Sequence, residues 1–175
     1  TQGLLNTTTS CNVTPWIVDH INIVFSKDPI VANGTDKAYI TAYLVDADDV
    51  TVTTADFNVT FALNTTDPNA RATGYLSITV NVTAVDGVID GVALGLWVNA
   101  TKTNAPLGGT PIQKLNVTAT AYAPYGLRYG WKYINVSPDE PAKVIIGAST
   151  TETEVAMPVD ITVTVYDAYG NIVLN

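Results

Sequence analysis

The stretch FNVTFALNTT, Phe57 to Thr66, places apolar side chains at Phe57, Val59, Phe61 and Leu63, with Asn58 between the first two. A period of two is that of a β-strand, whose successive side chains leave opposite faces of a sheet. The stretch therefore predicts a strand with one face in a core. It also carries two Asn-x-Ser/Thr acceptor sequences for N-glycosylation, at Asn58 and Asn64. Alternation puts Asn58 on the face away from the core, the side from which a bulky glycan can leave.

Further runs of the same kind extend in both directions, near residues 17–26, 38–46, 75–85, 88–99, 112–123, 128–136, 142–148 and 159–167. Turn signals separate them at Asn33-Gly34, Asp67-Pro68, Asp86-Gly87, Gly108-Gly109 and Ser137-Pro138. Thr, Val and Ile supply 61 of the 175 residues, while Glu, Lys, Arg, Gln and Met are scarce. β-Branched residues favour strands and the scarce ones favour helices, so an all-β antiparallel sandwich with almost no helix is expected.

Nine acceptor sequences occur, at Asn6, Asn12, Asn33, Asn58, Asn64, Asn81, Asn99, Asn116 and Asn135. With this Ser and Thr content, fourteen asparagines would give about 2.5 by chance. Pro15 and Pro138 follow the Asn12 and Asn135 triplets and weaken those two. Parity extends the reading of Asn58: Leu76, Ile78, Val80 and Val82 oppose Asn81, Val92, Leu94, Leu96 and Val98 oppose Asn99, and Leu115, Val117, Ala119 and Ala121 oppose Asn116. All four asparagines are thus expected on outer faces, as in a protein sheathed in N-linked glycans.

The chain also repeats itself. ITAYLVDADD (Ile40 to Asp49) matches ITVTVYDAYG (Ile161 to Gly170) at an offset of 121 residues, and INIVF (Ile21 to Phe25) lies opposite AKVII (Ala142 to Ile146) at the same offset. These segments resemble the opening strands of bacterial Ig-like domains of the invasin and intimin type, in which a strand ends in Asp-Ala-x-Gly-Asn and an apolar residue follows. Asp167, Ala168, Gly170, Asn171 and Val173 match that motif, whereas the first copy carries Asp48 and Asp49 in its turn. The resemblance implies an Ig-like unit over residues 16–138 and the opening strands of a second, incomplete unit over residues 139–175. Those strands are expected either to pack on the first unit or to be completed by a neighbouring subunit, because uncovered apolar faces and open edges favour association.

Residues 1–15 have no place in either unit. Read as a strand, they put Leu5, Thr7, Thr9, Cys11 and Val13 on one face and the acceptors Asn6 and Asn12 on the other. That parity suits a donor strand buried in another subunit; a glycosylated linker is the plainer alternative. Cys11, the single cysteine, would then be a small buried hydrophobe. The opening without Met or an apolar leader is expected of a secreted chain whose signal peptide has been removed.

Catalytic chemistry is not expected. One histidine, His20, supports no Ser/His/Asp set, a lone cysteine supports no zinc cluster, and no phosphate-cradling glycine loop is present. The acidic groups Asp46, Asp48 and Asp49, and Asp86 and Asp90, lack the spacing of a known calcium loop and read as turn and cap residues. A net charge of −8 argues against nucleic acid, and no apolar run is long enough to span a membrane. In the aromatic run YAPYGLRYGWKY, Tyr129, Trp131 and Tyr133 share one face, suited to core packing, a subunit contact or stacking on sugar.

A spare N-terminal strand, an incomplete second unit, dense acceptors and no catalytic set together resemble the glycosylated Ig-like pilins of archaeal thread filaments, whose N-terminal tail completes the next subunit by donor-strand complementation. The resemblance implies an extracellular cell-surface filament, a linear homopolymer without cofactors other than N-linked glycans, active in adhesion and biofilm. Two rival readings are a ligand-binding module of an adhesin or surface-layer protein, and a secreted glycoside-binding module with Trp97 or Trp131 as its platform.

Overall fold

The computed structural model describes residues 17–78, 81–103, 113–124, 126–149, 155 and 157–174, with the side chain of Leu174 left aside. Residues 1–16 fall outside it, so Asn6, Asn12 and the proposed donor strand Leu5, Thr7, Thr9, Cys11 and Val13 lie outside the described residues, as does Val80. The strands in chain order are β1 His20–Phe25, β2 Ile30–Val31, β3 Lys37–Val45, β4 Asn58–Leu63, β5 Thr73–Leu76, β6 Val82–Thr83, β7 Val88–Ile89, β8 Trp97–Lys102, β9 Gln113–Ala123, β10 Gly126–Ser137, β11 Pro141–Ala148, β12 Ile161–Asp167 and β13 Ile172–Leu174. One helical turn, α1 Gly91–Leu94, sits between β7 and β8.

The described residues are nearly all β, in three sheets. One runs β1-β3-β8-β5 with β7 also on β3, the second β2-β10-β9-β4-β6, the third β11-β12-β13. Pairing is antiparallel throughout except for β2 on β10. The first two sheets share one core. Ile21, Ile23, Ile40, Leu44 and Val98 enter it from one side, and Val59, Phe61, Val117, Ala119 and Ile134 from the other. In β3 the inward set Ala38, Ile40, Ala42 and Leu44 alternates with half-buried Tyr39, Thr41 and Tyr43, as a strand with one apolar face must. Gly130 lets the sheets close on each other, since a Cβ there would lie 2.1 Å from the Ile21 carbonyl oxygen.

The run from 88 to 99 departs from the predicted single strand. Asp90 caps α1 by accepting hydrogen bonds from the Val92 N–H (2.9 Å) and the Ala93 N–H (3.2 Å), and Gly95 ends the turn at φ 68°. Gly91 packs against β3, where a Cβ would meet the Ile40 carbonyl oxygen at 1.9 Å. The turn shifts the phase of the chain, so Val92 and Leu94 are exposed while Leu96 and Val98 remain in the core.

The repeat is present in three dimensions. Asp46 Oδ1 accepts from the N–H groups of Asp48 and Val50, and Asp167 Oδ1 accepts from those of Tyr169 and Asn171, 121 residues on. Asp49 (φ 62°) takes the left-handed position held by Gly170 (φ 83°) in the second copy. The opening strands correspond with a two-residue shift. Ile21 and Ile23 pair with Leu44 and Ala42, and the counterparts of those two, Val165 and Val163, pair with Val144 and Ile146. An even shift keeps the same faces together.

Candidate functional site

Three surface features are candidates for chemistry or recognition. The first is the third sheet. Val144, Ile146, Ile161, Val163 and Val165 stand on one of its faces, while Lys143, Thr162, Thr164 and Tyr166 share the other with Ile145. Such one-sided patterning is that of a sheet meant to be covered. Every residue of β11 is exposed, however, and Ile146 is 69% exposed where its counterpart Ile23 is 2% exposed. Val144, Ile146, Ile161 and Val163 of this face are exposed and Val165 is half-buried, and β11 and β13 are the edges of the sheet.

The sheet is tied to the sandwich through its turn. Asp167 Oδ2 accepts from the Asp139 N–H (2.9 Å) and from Asn171 Nδ2 (2.7 Å). Asn171 in turn donates from Nδ2 to the Ala32 carbonyl (3.0 Å) and accepts at Oδ1 from the Thr103 N–H (2.9 Å). Both side chains are buried. Burial alone would raise the Asp167 carboxyl above its ordinary value, but the Asp139, Asn171 and Tyr169 donors outweigh it and hold it below.

The seven acceptor asparagines within the described residues fall into two groups. In the first, the side-chain oxygen is held by a threonine hydroxyl. Asn33 Oδ1 accepts from Thr35 Oγ1 (3.0 Å) and Asn64 Oδ1 from Thr66 Oγ1 (2.9 Å), each within its own triplet. Asn58 and Asn81 exchange partners across the β4–β6 pair, Thr83 donating to Asn58 (2.7 Å) and Thr60 to Asn81 (2.5 Å). In the second group it is the nitrogen that is engaged. Nδ2 of Asn99 donates to the Gly34 carbonyl (2.7 Å), that of Asn116 to Asp67 Oδ2 (2.6 Å) and that of Asn135 to Asp28 Oδ2 (3.2 Å).

Exposure divides the four asparagines that parity puts on outer faces. Asn58 and Asn81 are exposed as expected, but Asn99 is 5% and Asn116 6% exposed. Parity sets both on the outer side of their sheets; the Gly34 turn and the Asp67 loop then fold over them. Alternation reports the face of a sheet and not what a distant loop lays upon it.

The third feature is an aromatic cleft of about 330 Å³ on the outer face of the second sheet, lined by Asn64, Asp67, Asn116, Thr118, Tyr129, Trp131 and Tyr133. Core packing does not hold this run: Tyr129 is 59% and Trp131 63% exposed. Trp131 meets Tyr133 edge to face at 5.3 Å. Asp67 accepts from the Tyr133 hydroxyl (2.6 Å), the Asn69 N–H (2.8 Å) and Asn116 Nδ2. The Tyr133 hydroxyl leads these donors in holding the Asp67 carboxyl below its ordinary value, and the same bond raises the Tyr133 phenol. At Trp97, Lys37 Nζ sits 4.1 Å from the ring centroid.

The acidic groups named in the sequence serve the backbone: Asp46 closes its turn and Asp90 caps α1. His20 lies between Asp19 (3.1 Å) and Asp49 (2.9 Å) on the surface. No described group of His, Cys, Asp or Glu side chains is placed to hold a metal ion, and no described helix is long and apolar enough to cross a membrane. No protein-family model matches this sequence, and no curated protein sequence is detectably similar to it.

Proposed function

We propose that the chain is the structural subunit of an extracellular, heavily N-glycosylated cell-surface filament. In this reading an Ig-like sandwich polymerises head to tail by donor-strand complementation and serves adhesion and biofilm formation. The observation that carries it is the uncovered apolar face of β11 and β12, built from residues whose counterparts in the first copy are core. A soluble chain keeps such a patch only where something docks on it. The occupant is residues 1–15 of a neighbouring copy, with Leu5, Cys11 and Val13 turned inward. At about 3.3 Å per residue this segment reaches roughly 50 Å, enough to cross a sandwich. The contact joins two different surfaces of identical molecules, so it propagates as a fibre.

Deleting residues 1–14 tests the mechanism directly. Electron microscopy of the purified product is expected to find dispersed folded chains, whereas filaments of normal length would overturn it.

Glycosylation of the folded chain should follow the split among the asparagines. Glycans join the amide nitrogen, which has no partner among the described residues in Asn33, Asn58, Asn64 and Asn81 and is already donated in Asn99, Asn116 and Asn135. Peptide mapping of secreted protein should find the first four occupied and the last three largely bare. Full occupancy at Asn99 would show that the Gly34 turn does not cover it at the time of modification.

A further inference from the structure

The aromatic cleft has an acceptor asparagine on its rim. Asn64 follows β4, and its N–H donates to the Asn116 carbonyl (2.9 Å), which places it in one cross-strand row with Asn116 and Tyr133. Two strand spacings, about 10 Å, separate Asn64 from Tyr133 along that row. Ala62, Thr118 and Trp131 form the next row on the same face. The Thr66 hydroxyl and N–H fix Asn64 Oδ1 (2.9 and 3.2 Å), and Asn64 lines the cleft.

The lining of the cleft suits one class of ligand. Tyr129 and Trp131 offer exposed ring faces, and Asp67 offers a carboxylate beside them. A pyranose matches that combination, with an apolar face of C–H groups for the rings and hydroxyls that donate to the carboxylate. At 330 Å³ the space lies at the small end of ligand sites, about 300–1,000 Å³.

We propose that the glycan carried by Asn64 folds back into this cleft and stacks its first sugar rings on Trp131 and Tyr129, with hydroxyls on Asp67. The inference rests on the proposed N-glycosylation of the chain and on none of the polymer reading. A sugar–aromatic contact is weak between free molecules, but a tether of one side chain gives it an effective concentration in the millimolar range or above. The sugar then covers an exposed tryptophan and closes the outer face of the second sheet.

A double-mutant cycle on secreted, glycosylated protein tests this. Thr66→Val abolishes the acceptor sequence while preserving Asn64 and the residue 66 N–H; Trp131→Ala removes the platform. Mass mapping of the parent must find Asn64 occupied; a bare Asn64 overturns the proposal through its glycosylation premise. Given occupancy, loss of the glycan in Thr66→Val should lower the melting temperature by about 2–4 °C. In the Trp131→Ala background the same change should lower it by clearly less, because only the Thr66–Asn64 hydrogen bond is then lost. Oxidation of Trp131 by N-bromosuccinimide, followed by peptide mapping, should be at least several-fold slower in the parent than in Thr66→Val. Equal oxidation rates, or additive melting shifts, overturn the stacking while leaving glycosylation standing. Protection that appears only in assembled fibres and not in dispersed chains also overturns it, assigning the cleft to a second copy.

Discussion

Ile23→Asp is expected to unfold the sandwich, and Ile146→Asp, at the matching position of the second copy, to leave the chain folded but unable to polymerise. Ile23 is fully enclosed between the two sheets, so its replacement buries a carboxylate with no partner at a cost of several kcal/mol. That is a large part of the 5–15 kcal/mol available to an ordinary domain. Ile146 points the same way from an equivalent strand, but into solvent. A carboxylate there stays hydrated, so the melting temperature of the dispersed chain should move by no more than about 2 °C. In a fibre the same carboxylate would be pressed under the incoming strand. Thermal melts followed by circular dichroism, with sedimentation of assembled material, read both effects. Normal polymerisation of Ile146→Asp would sink the assignment of this face to the joint. Equal destabilisation by the two substitutions would mean that the face is already covered within one chain.

Much of the fold is legible in the sequence wherever a strand has one buried face. β3, β4, β9 and β10 follow the period-two runs within a few residues, because their apolar positions alternate, in β10 with a change of face between Tyr133 and Ile134. The turn at Gly91–Leu94 escapes that pattern. Val92, Leu94 and Leu96 keep a strand-like alternation, and only the Asp90-Gly91 and Gly95 positions mark a capped turn. The repeat was visible as an offset of 121, but the shift of two between β11 and β1 depends on strand pairing, which residue identity alone does not encode. The candidate sites divide in the same way. Asn33 and Asn64 hold their own threonines through local geometry and could be read from the triplets. The crossed bonds of Asn58 and Asn81, the cover over Asn99 and Asn116, and the meeting of Asn64 with Trp131 all join residues distant in the chain.

Asp167→Ala should release the third sheet from the sandwich while the sandwich itself stays folded. The Asp167 carboxylate satisfies the N–H groups of Asp139, Tyr169 and Asn171 and orients the Asn171 amide, whose other bonds reach Ala32 and Thr103. Each buried N–H left unpaired costs about 1–3 kcal/mol, and here several are lost together. Asp46→Ala removes the same turn bonds from the first copy, yet Asp46 is only half-buried and β1 and β3 are secured by the core, so its effect should be smaller. The same carboxylate gives a pH dependence of known sign. Its folded-state value is lowered, so its contribution is full above the unfolded carboxylate value, near 3.9, and is lost as pH falls below that through the folded value. Asp36 and Asp67 are lowered too, so a global acid melt would mix three carboxylates. Amide hydrogen exchange separates them by place. Residues 141–174 should lose protection as pH falls below about 4, after correction for the intrinsic exchange rate, and Asp167→Asn should show weak protection there at every pH. Unchanged protection of β11 and β12 in Asp167→Ala would show that the third sheet is held by something other than this junction.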